Sequence, residues 1–350
     1  MIRITPTPAS QLGNTDFSKL EFGKYVSDHM FIAHYRNGQW DNGEIIPFQN
    51  IPVSPAALAL HYGQSVFEGM KAFRMNSGPV SIFRIPKHLE RLNRSLERMC
   101  MQPVPAEMFR EAVETLVKTD IDWVPPAGEG SLYLRPFVFA SESRYGVKVS
   151  DEFTFIIFSG PVGPYYPKPL RVKVETLYSR AARGGTGAAK CAGNYGASFY
   201  PTRMAQQEGF DAVIWTDGQQ HEYIEESGTM NVMFVDRGTL ITPELTDSIL
   251  PGITRDSILQ LARKMQIDVR EYKIPVQELK QKLADGSLTE AFGTGTAAVV
   301  APIKSISIDG EEFTLPDATD DSLMFRLRNA LNELRTEGSG DTFGWNTILS

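Results

Sequence analysis

The chain has 350 residues, 42% hydrophobic and 22% charged, which is ordinary for a globular protein and long enough for two domains. A formal net charge of −7 argues against nucleic acid as the main partner, and no apolar run approaches the roughly 20 residues that a membrane span needs. With two cysteines, and five histidines that lack metal-ligand spacing, the sequence predicts no disulfide framework and no metal site, and it favours an organic cofactor.

The N-terminal region begins with a polar segment over residues 1–20, and it contains no hydrophobic core typical of a signal peptide. We therefore expect a cytoplasmic protein. Residues 22–35 read as strand, turn and strand, with the turn at Ser27-Asp28. A short strand is predicted over residues 80–85, closed by Pro86.

Two amphipathic helices are predicted next. Apolar residues at helical spacing mark the first between Leu89 and Met99, with Arg91 near the edge of its apolar face. Pro105 opens the second helix. The strand predicted over residues 132–139 alternates, so Tyr133 and Arg135 share one face, either exposed to water or forming a pocket wall with an anion-binding fork.

A stretch rich in glycine and proline, residues 160–169, is the best candidate for a linker. We predict a small α/β domain over residues 1–168 and a large domain over residues 169–350, joined by an interdomain loop at about 163–173.

The second predicted domain begins with a loop of glycines and alanines around Lys190. Small neighbours permit close approach of a ligand and partly desolvate the amine, which favours its use as a nucleophile; an ordinary surface loop is the alternative. A phosphate-binding loop of the Gly-Lys-Ser/Thr type does not fit, because Lys190 precedes Cys191.

Later segments add groups of similar chemistry. We predict a helix over residues 196–208 that is broken near Pro201, then a hairpin over residues 211–225. Glu226 follows beside an apolar strand, where a carboxylate needs a partner. A Pro-Gly-Ile-Thr sequence before a helix and a late Gly-Thr-Gly-Thr-Ala sequence both present backbone amides suited to anions. The last predicted helix covers about residues 321–336.

In this order the segments resemble the branched-chain amino acid aminotransferases, which are pyridoxal 5'-phosphate enzymes of fold type IV. The resemblance rests on Phe-Glu-Gly-Met-Lys-Ala-Phe from Phe67, Arg135-Pro, Gly-Gly-Thr-Gly before Lys190, Glu-x-Gly-Thr-x-Asn from Glu226, and the two late amide-rich sequences. It spans nearly the whole chain. It implies a mixed α/β (α+β) fold of two domains and transfer of an amino group from leucine, isoleucine or valine to 2-oxoglutarate by a ping-pong mechanism.

The resemblance also implies roles for single residues. Lys190 would form the Schiff base with the cofactor and shuttle the proton, Glu226 would pair with the pyridine nitrogen, and Tyr195 would bond the phenolic oxygen. The cofactor phosphate would be held by four residues: Arg91, Ile253, Thr254 and Thr296. The substrate would be held by seven residues: Phe22, Tyr62, Phe67, Tyr133, Arg135, Thr229 and Ala297.

A homodimer is implied as well, since Tyr145 and Val147 correspond to a loop that reaches the site of the second subunit. Some animal relatives carry a Cys-x-x-Cys motif after the late Gly-Thr-Ala, where this chain has Ala298-Val-Val-Ala301, so thiol regulation of that type is not expected.

Two alternatives stay open at this point. The first is another fold type IV activity, namely a D-amino acid or amine transaminase or an aminodeoxychorismate lyase. The second is a cofactor-binding protein without turnover, which the combination of Lys190, Tyr195 and Glu226 argues against because binding alone requires no proton shuttle.

Overall fold

The computed structural model describes residues 2–163, 168–337 and 341–349. The chain forms two compact units: the first comprises Met1–Tyr165, Ala189–Gly193 and Glu333–Ser350, and the second comprises Tyr166–Ala188 and Asn194–Asn332. Both units combine helices with strands, which confirms the predicted mixed α/β class. None of the helices in the described ranges has the length and apolar character needed to cross a bilayer.

The bounds of the elements are as follows. The strands are β1 (Arg3–Ile4), β2 (His29–Arg36), β3 (Gln39–Trp40), β4 (Glu44–Pro47), β5 (Ser65–Phe67), β6 (Met70–Arg74), β7 (Val80–Phe83), β8 (Ser131–Ala140), β9 (Phe153–Val162), β10 (Leu170–Glu175), β11 (Ala212–Thr216), β12 (Tyr223–Ser227), β13 (Met230–Asp236), β14 (Thr239–Pro243), β15 (Val269–Tyr272), β16 (Ile274–Pro275), β17 (Leu288–Thr294), β18 (Ala301–Ile308), β19 (Glu311–Thr314) and β20 (Asn346–Leu349). The helices are α1 (Leu58–Tyr62), α2 (Ile85–Arg98), α3 (Ala106–Thr119), α4 (Gly193–Gln207), α5 (Ile253–Lys264), α6 (Val276–Ala284) and α7 (Leu323–Thr336).

The first unit is built on a sheet that has ten strands within the described residues, in the order β1-β4-β2-β9-β8-β6-β7-β20, with β3 paired to β2 and β5 to β8. The long antiparallel pair β8–β9 lies at its centre. Helices α2 and α3 bury their apolar faces in the same core, where Leu92, Leu96 and Phe109 have no exposed surface. Phe109 stacks on Phe155 of β9, with ring centroids 6.2 Å apart.

Both predicted helices of this unit are confirmed. The second begins directly after Pro105, as predicted. Helix α2 begins at Ile85, earlier than its leucine spacing indicated, and Pro86 lies in its first turn. Proline is tolerated there because the amides of the first turn have no partner inside the helix.

Two local predictions are wrong. Residues 22–26 form a turn and irregular backbone instead of a strand, so the predicted strand–turn–strand reduces to β2 alone. Helix α4 runs without a break through Pro201. A proline inside a helix removes one backbone hydrogen bond but does not always end the helix, because the remaining turns still pair.

The second unit has a separate sheet, again of ten strands among the described residues, in the order β15-β14-β13-β17-β18-β10-β11-β12-β16, with β19 beside β18. Its core is mostly aliphatic and includes Val232, Phe234 and Ile306, all fully buried. Strand β10 begins at Leu170, inside the loop predicted at about 163–173, and residues 164–167 of that loop lie outside the described residues. The boundary predicted between residues 168 and 169 stays a prediction.

Candidate functional site

Lys190 lies on a short segment that belongs to the first unit, although the chain on either side belongs to the second. Its backbone N–H donates to Ser95 Oγ of α2 at 3.0 Å, and its carbonyl accepts from the Phe67 N–H of β5 at 3.0 Å. The next residue, Cys191, pairs with Val66 in an antiparallel bridge. The lysine backbone is therefore fixed both to the edge of a strand and to a helix.

An aromatic cluster with one arginine surrounds the lysine side chain. Lys190 Nζ lies 4.7 Å from the centroid of the Phe67 ring, and the Arg135 guanidinium lies 4.9 Å from the same ring. Arg135 Nη2 donates to the Tyr133 hydroxyl at 3.1 Å, and the Phe22 ring meets Tyr133 edge to face at 5.0 Å. The structure thus brings four of the predicted substrate residues together with Lys190, and we call these five residues the lysine cluster.

Tyr62 bonds to a loop of its own chain. Its hydroxyl donates to the Tyr145 carbonyl at 2.5 Å, and its own exposed fraction is 40%. Tyr145 and Val147 are 85% and 81% exposed, which is unusual for apolar side chains in an ordered loop. The structure therefore groups Tyr62 with the loop that the resemblance assigns to a second subunit.

Arg91 forms a buried ion pair that the sequence did not reveal. Its Nε and Nη2 donate to the two carboxylate oxygens of Glu68 at 2.7 and 2.8 Å, and His88 Nδ1 lies 2.9 Å from Glu68 Oε2. Burial favours the neutral acid, but the Arg91 charge and the hydrogen bonds from Arg91 and His88 outweigh it and hold the pKa of Glu68 well below its usual range. The pair fixes the orientation of the Arg91 fork.

A second buried carboxylate–arginine pair lies in the second unit. Glu226 on β12 is 3% exposed, and its Oε2 lies 2.7 Å from Arg180 Nε. Its Oε1 accepts from the Leu250 N–H at 3.1 Å and from Asn231 Nδ2 at 3.1 Å. Hydrogen bonds thus reach Oε1, and the Arg180 charge lies beside Oε2, so the buried carboxylate is compensated.

Arg180 was not among the residues predicted from the sequence. It ends the segment before the glycine-rich loop, and Nη2 donates to the Gly187 carbonyl of that loop at 3.4 Å and to the Ser248 carbonyl. An arginine at a loop edge is too common to stand out without a view of its partner, so no local signal could have found it.

Two further predicted residues of the second unit, Tyr195 and Thr229, lie near Glu226. Tyr195, in the first turn of α4, and Thr229, in the turn before β13, line one cleft together with Arg180 and Glu226. Thr229 is exposed on the surface of this cleft. These residues therefore present a phenol, a hydroxyl and a carboxylate to the same space.

Two amide-rich turns complete the set. Ile253 and Thr254 are buried in the first turn of α5, directly after Gly252. A Cβ added at Gly252 would lie 2.0 Å from the amide oxygen of Asn231, so the backbone approaches this side chain closely. The second turn follows β17 and carries Thr296 and Ala297, both half-buried. The first turn suits an anion, because the amides of a first helical turn have no partner inside the helix. The second turn begins no helix and joins β17 to β18.

Among the described residues, no group of three or more His, Cys, Asp or Glu side chains is placed to hold a metal ion. The arrangement instead offers one amine beside aromatic rings, one arginine fork held by a buried carboxylate, and one buried carboxylate among donors.

Comparison with known proteins decides the family. A family described as amino-transferase class IV matches residues 65–306. The chain belongs to this aminotransferase family. Its relatives include branched-chain-amino-acid transaminase 1 of Bacillus subtilis, 43% identical over 94% of both chains. The branched-chain-amino-acid aminotransferase of Mycolicibacterium smegmatis is 42% identical over 94% of this chain and 92% of its own.

Solved structures of aminotransferases share the fold. The branched-chain amino acid aminotransferase of Escherichia coli superposes with a TM-score of 0.75 at 28% identity, covering 91% of this chain and 98% of that one. The branched-chain aminotransferase of Thermoproteus uzoniensis, solved with norvaline, also gives 0.75, at 27% identity over 91% and 99% of the two chains. These structures confirm the predicted fold type IV architecture for this aminotransferase.

The buried Glu68–Arg91 pair predicts a pH-dependent loss of stability. We expect Glu68→Gln to lower the free energy of unfolding by about 3 kcal/mol at pH 7, because it leaves the Arg91 charge buried without its partner. The pKa of Glu68 is depressed in the folded state, so the stabilisation is complete above the unfolded pKa of 4.5 and is lost as the pH falls below it. Urea denaturation at pH 7 and pH 4 measures both effects.

The matched control is Glu90→Gln on the same helix, where an exposed carboxylate pairs with Lys87 at 2.7 Å. Its effect on stability should stay below about 1 kcal/mol. Equal losses of stability for the two variants would contradict the inferred role of the buried pair.

Proposed function

We propose that this aminotransferase moves the amino group of branched-chain L-amino acids to 2-oxoglutarate, using pyridoxal 5'-phosphate. The observation that carries the proposal is the lysine cluster, in which a lysine amine, three aromatic rings and an arginine lie together in one unit. Besides the family relationship, the chemistry of these side chains supports the proposal. The rings suit a branched side chain, and the arginine suits a second carboxylate.

Each unit, taken by itself, contains residues that suit one part of the cofactor. Lys190 would hold it covalently, Glu226 would pair with its ring nitrogen and Tyr195 would bond its phenolic oxygen. When bound, pyridoxal phosphate supplies an electron sink, and a carboxylate that keeps its ring protonated strengthens that sink. The Arg91 fork and the two amide-rich turns, with Ile253, Thr254 and Thr296, are suited to its phosphate.

Lys190 then has a second task, which is to carry a proton between substrate and cofactor. Its backbone is held by Phe67 and Ser95, so the freedom of the amine is confined to the side chain. General acid–base groups act efficiently when their donor atom is placed in advance, because no ordering entropy remains to be lost.

Accepting both substrates requires one pocket to hold an isobutyl group and a carboxylate in turn. Phe22, Phe67 and Tyr133 provide the apolar surface. The Arg135 guanidinium lies 4.9 Å from the centroid of the Phe67 ring and 5.3 Å from that of Tyr133. Its charge suits the γ-carboxylate of glutamate, and the rings beside it suit a branched side chain. Thr229 remains a proposed lining residue of this pocket, and Ala297 N–H and Tyr62 remain the proposed partners of the α-carboxylate.

We also propose a homodimer in which Tyr62, Tyr145 and Val147 serve the site of the other subunit. The exposure of all three side chains and the Tyr62–Tyr145 hydrogen bond support it.

Light scattering should give twice the chain mass of 39.0 kDa. Tyr145→Ala should raise the KM for leucine while Tyr25→Ala, a tyrosine outside this loop, should not; a monomer that is fully active would refute this proposal. A cytoplasmic location remains a prediction.

The activity itself is tested by incubating the purified chain, supplied with pyridoxal phosphate, with 2-oxoglutarate and each of L-leucine, L-isoleucine and L-valine. We expect glutamate from all three, and little from D-leucine. Lys190→Ala should lower turnover by at least about 10²- to 10⁴-fold, since it removes the acid–base group. Borohydride reduction should label the peptide that contains Lys190.

The control for this loss is Lys19→Ala, which removes a surface lysine whose side chain is 81% exposed and should leave turnover unchanged. Absence of glutamate with all three amino acids would end the proposal. Turnover that survives in Lys190→Ala would remove this residue from the mechanism.

Arg180 is expected to act through Glu226. We predict that Arg180→Met lowers kcat by about tenfold to a hundredfold with little change in the KM for leucine, because it removes the charged partner 2.7 Å from Glu226 Oε2. The pH titration of the absorbance of the bound cofactor should shift too, which a purely structural role would not produce. Arg180→Lys should recover part of both losses.

Arg237→Met is the matched control, since Arg237 occupies an exposed turn of the same unit. If Arg180→Met lost activity only through lower stability, with an unchanged titration of the absorbance, the positioning role would be wrong.

A further inference from the structure

A large cavity lies in the second unit, between the turn that follows β11 and the segment that follows β14. Its volume is about 480 Å³, within the range of small-molecule sites, and none of the predicted site residues lines it. Six charged side chains line it: Arg183, Asp217, Glu225, Glu244, Asp247 and Lys273. Four of the six are carboxylates, so the wall carries an excess of negative charge. We call this space the acidic cavity.

Two of the carboxylates already serve the protein itself. Asp217 accepts the backbone N–H groups of its own hairpin turn, including those of Glu222 at 2.7 Å and Tyr223 at 2.8 Å. Asp247 Oδ2 accepts the N–H of Gly184 at 2.6 Å. Asp217 therefore stabilises its own turn and Asp247 joins two distant segments, so neither carboxylate points to a ligand.

Glu225 is different because half of its carboxylate lacks a partner. The residue is 6% exposed on β12, and its Oε1 accepts a hydrogen bond from Ser248 Oγ. Its Oε2 is buried and has no hydrogen-bond partner among the described residues. Burial raises the pKa of this carboxyl. An unsatisfied buried carboxylate oxygen costs stability, so the cavity wall contains an acceptor that a bound donor would satisfy.

The acidic cavity is distinct from the proposed cofactor site. Glu225 and Glu226 are neighbours on one strand, so their side chains point to opposite faces of the sheet. Glu226 lines the cleft that also holds Tyr195 and Thr229, whereas Glu225 lines the acidic cavity. One strand thus separates the two spaces.

We propose that the acidic cavity binds a small molecule that carries a primary ammonium group, with Glu225 Oε2 as the acceptor. A metal ion is not favoured, because no group of described side chains is placed to hold one, and the volume far exceeds the need of a single ion. An ammonium group on a short alkyl chain supplies the missing donor and neutralises the excess charge of the wall.

Two sources share this chemistry, a diamine and a basic amino acid. A diamine has no carboxylate, whereas an amino acid offers one to Arg183 or Lys273 at the same wall. Calorimetric titration of the full-length holoenzyme with 1,4-diaminobutane and separately with L-lysine distinguishes the two sources, and 1-butanol serves as the uncharged probe. We expect at least one amine to bind and 1-butanol not to bind.

Glu225→Gln should weaken the binding of that amine by about tenfold or more, because it removes a charge-assisted hydrogen bond. The matched control is Glu222→Gln, which removes an exposed carboxylate just before the same strand and outside the cavity, and it should bind as the wild type does. An amine that reacts with the cofactor aldehyde instead would bind equally to all of these proteins, and that result would overturn the proposal.

Glu244→Lys provides a second variant in case Glu225→Gln does not fold. Glu244 is half-buried at the same cavity, and reversal of its charge should weaken the binding of the amine several-fold. Undiminished binding in this variant, or no binding of either amine to the wild type, would overturn the proposal. Both results are independent of leucine turnover, so they leave the proposed transamination unaffected.

Discussion

Two backbone hydrogen bonds of Lys190, to Phe67 and to Ser95, are the constraint on which the arrangement of the first unit depends. They attach five residues of a glycine-rich loop, Ala189–Gly193, to the edge of β5 and to helix α2. The same strand supplies the Phe67 ring under the amine, and the same helix carries Arg91. A nucleophile on a free loop would be mobile, whereas this one shares the rigidity of a sheet and a helix.

Each unit also contains one buried pair of a carboxylate and an arginine, namely Glu68 with Arg91 and Glu226 with Arg180. Burying two charges costs about as much as their attraction returns, so neither pair is explained by stability alone. Both fix the direction of a charged group: the fork of Arg91 in one unit and the carboxylate of Glu226 in the other. A cofactor with an anionic phosphate and a protonated ring would require such fixed charges: a cation directed at the phosphate and a carboxylate directed at the ring.

The sequence predicted those features that follow from local pattern. Helices α2 and α3 were visible because their leucines and phenylalanines recur at helical spacing, and the face shared by Tyr133 and Arg135 followed from strand alternation. Failures came where a local signal has two outcomes: apolar residues near Phe22 form no strand, and Pro201 does not end α4. Local pattern already marked Lys190, Tyr133 and Arg135, and the resemblance added Phe22 and Phe67; neither predicted the contacts within the lysine cluster.

The partners of the buried charges could not be predicted at all. Glu68 lies inside the Phe-Glu-Gly-Met-Lys-Ala-Phe motif, yet nothing in the motif indicates that its carboxylate faces Arg91. Arg180 and Glu226 are far apart in sequence, and only the folded sheet brings them together. Likewise, the composition of the chain could not predict that Glu225 Oε2 is buried without a hydrogen-bond partner.

The placement of Ala189–Gly193 has a practical consequence for dissecting the protein. Cutting the gene at the predicted boundary would produce a C-terminal fragment that keeps Lys190 but loses β5 and Ser95, so the amine would be severed from both of its anchors. We would then expect neither half to bind pyridoxal phosphate covalently. Two co-expressed halves could restore activity only if they formed again the pairing between Cys191 and Val66.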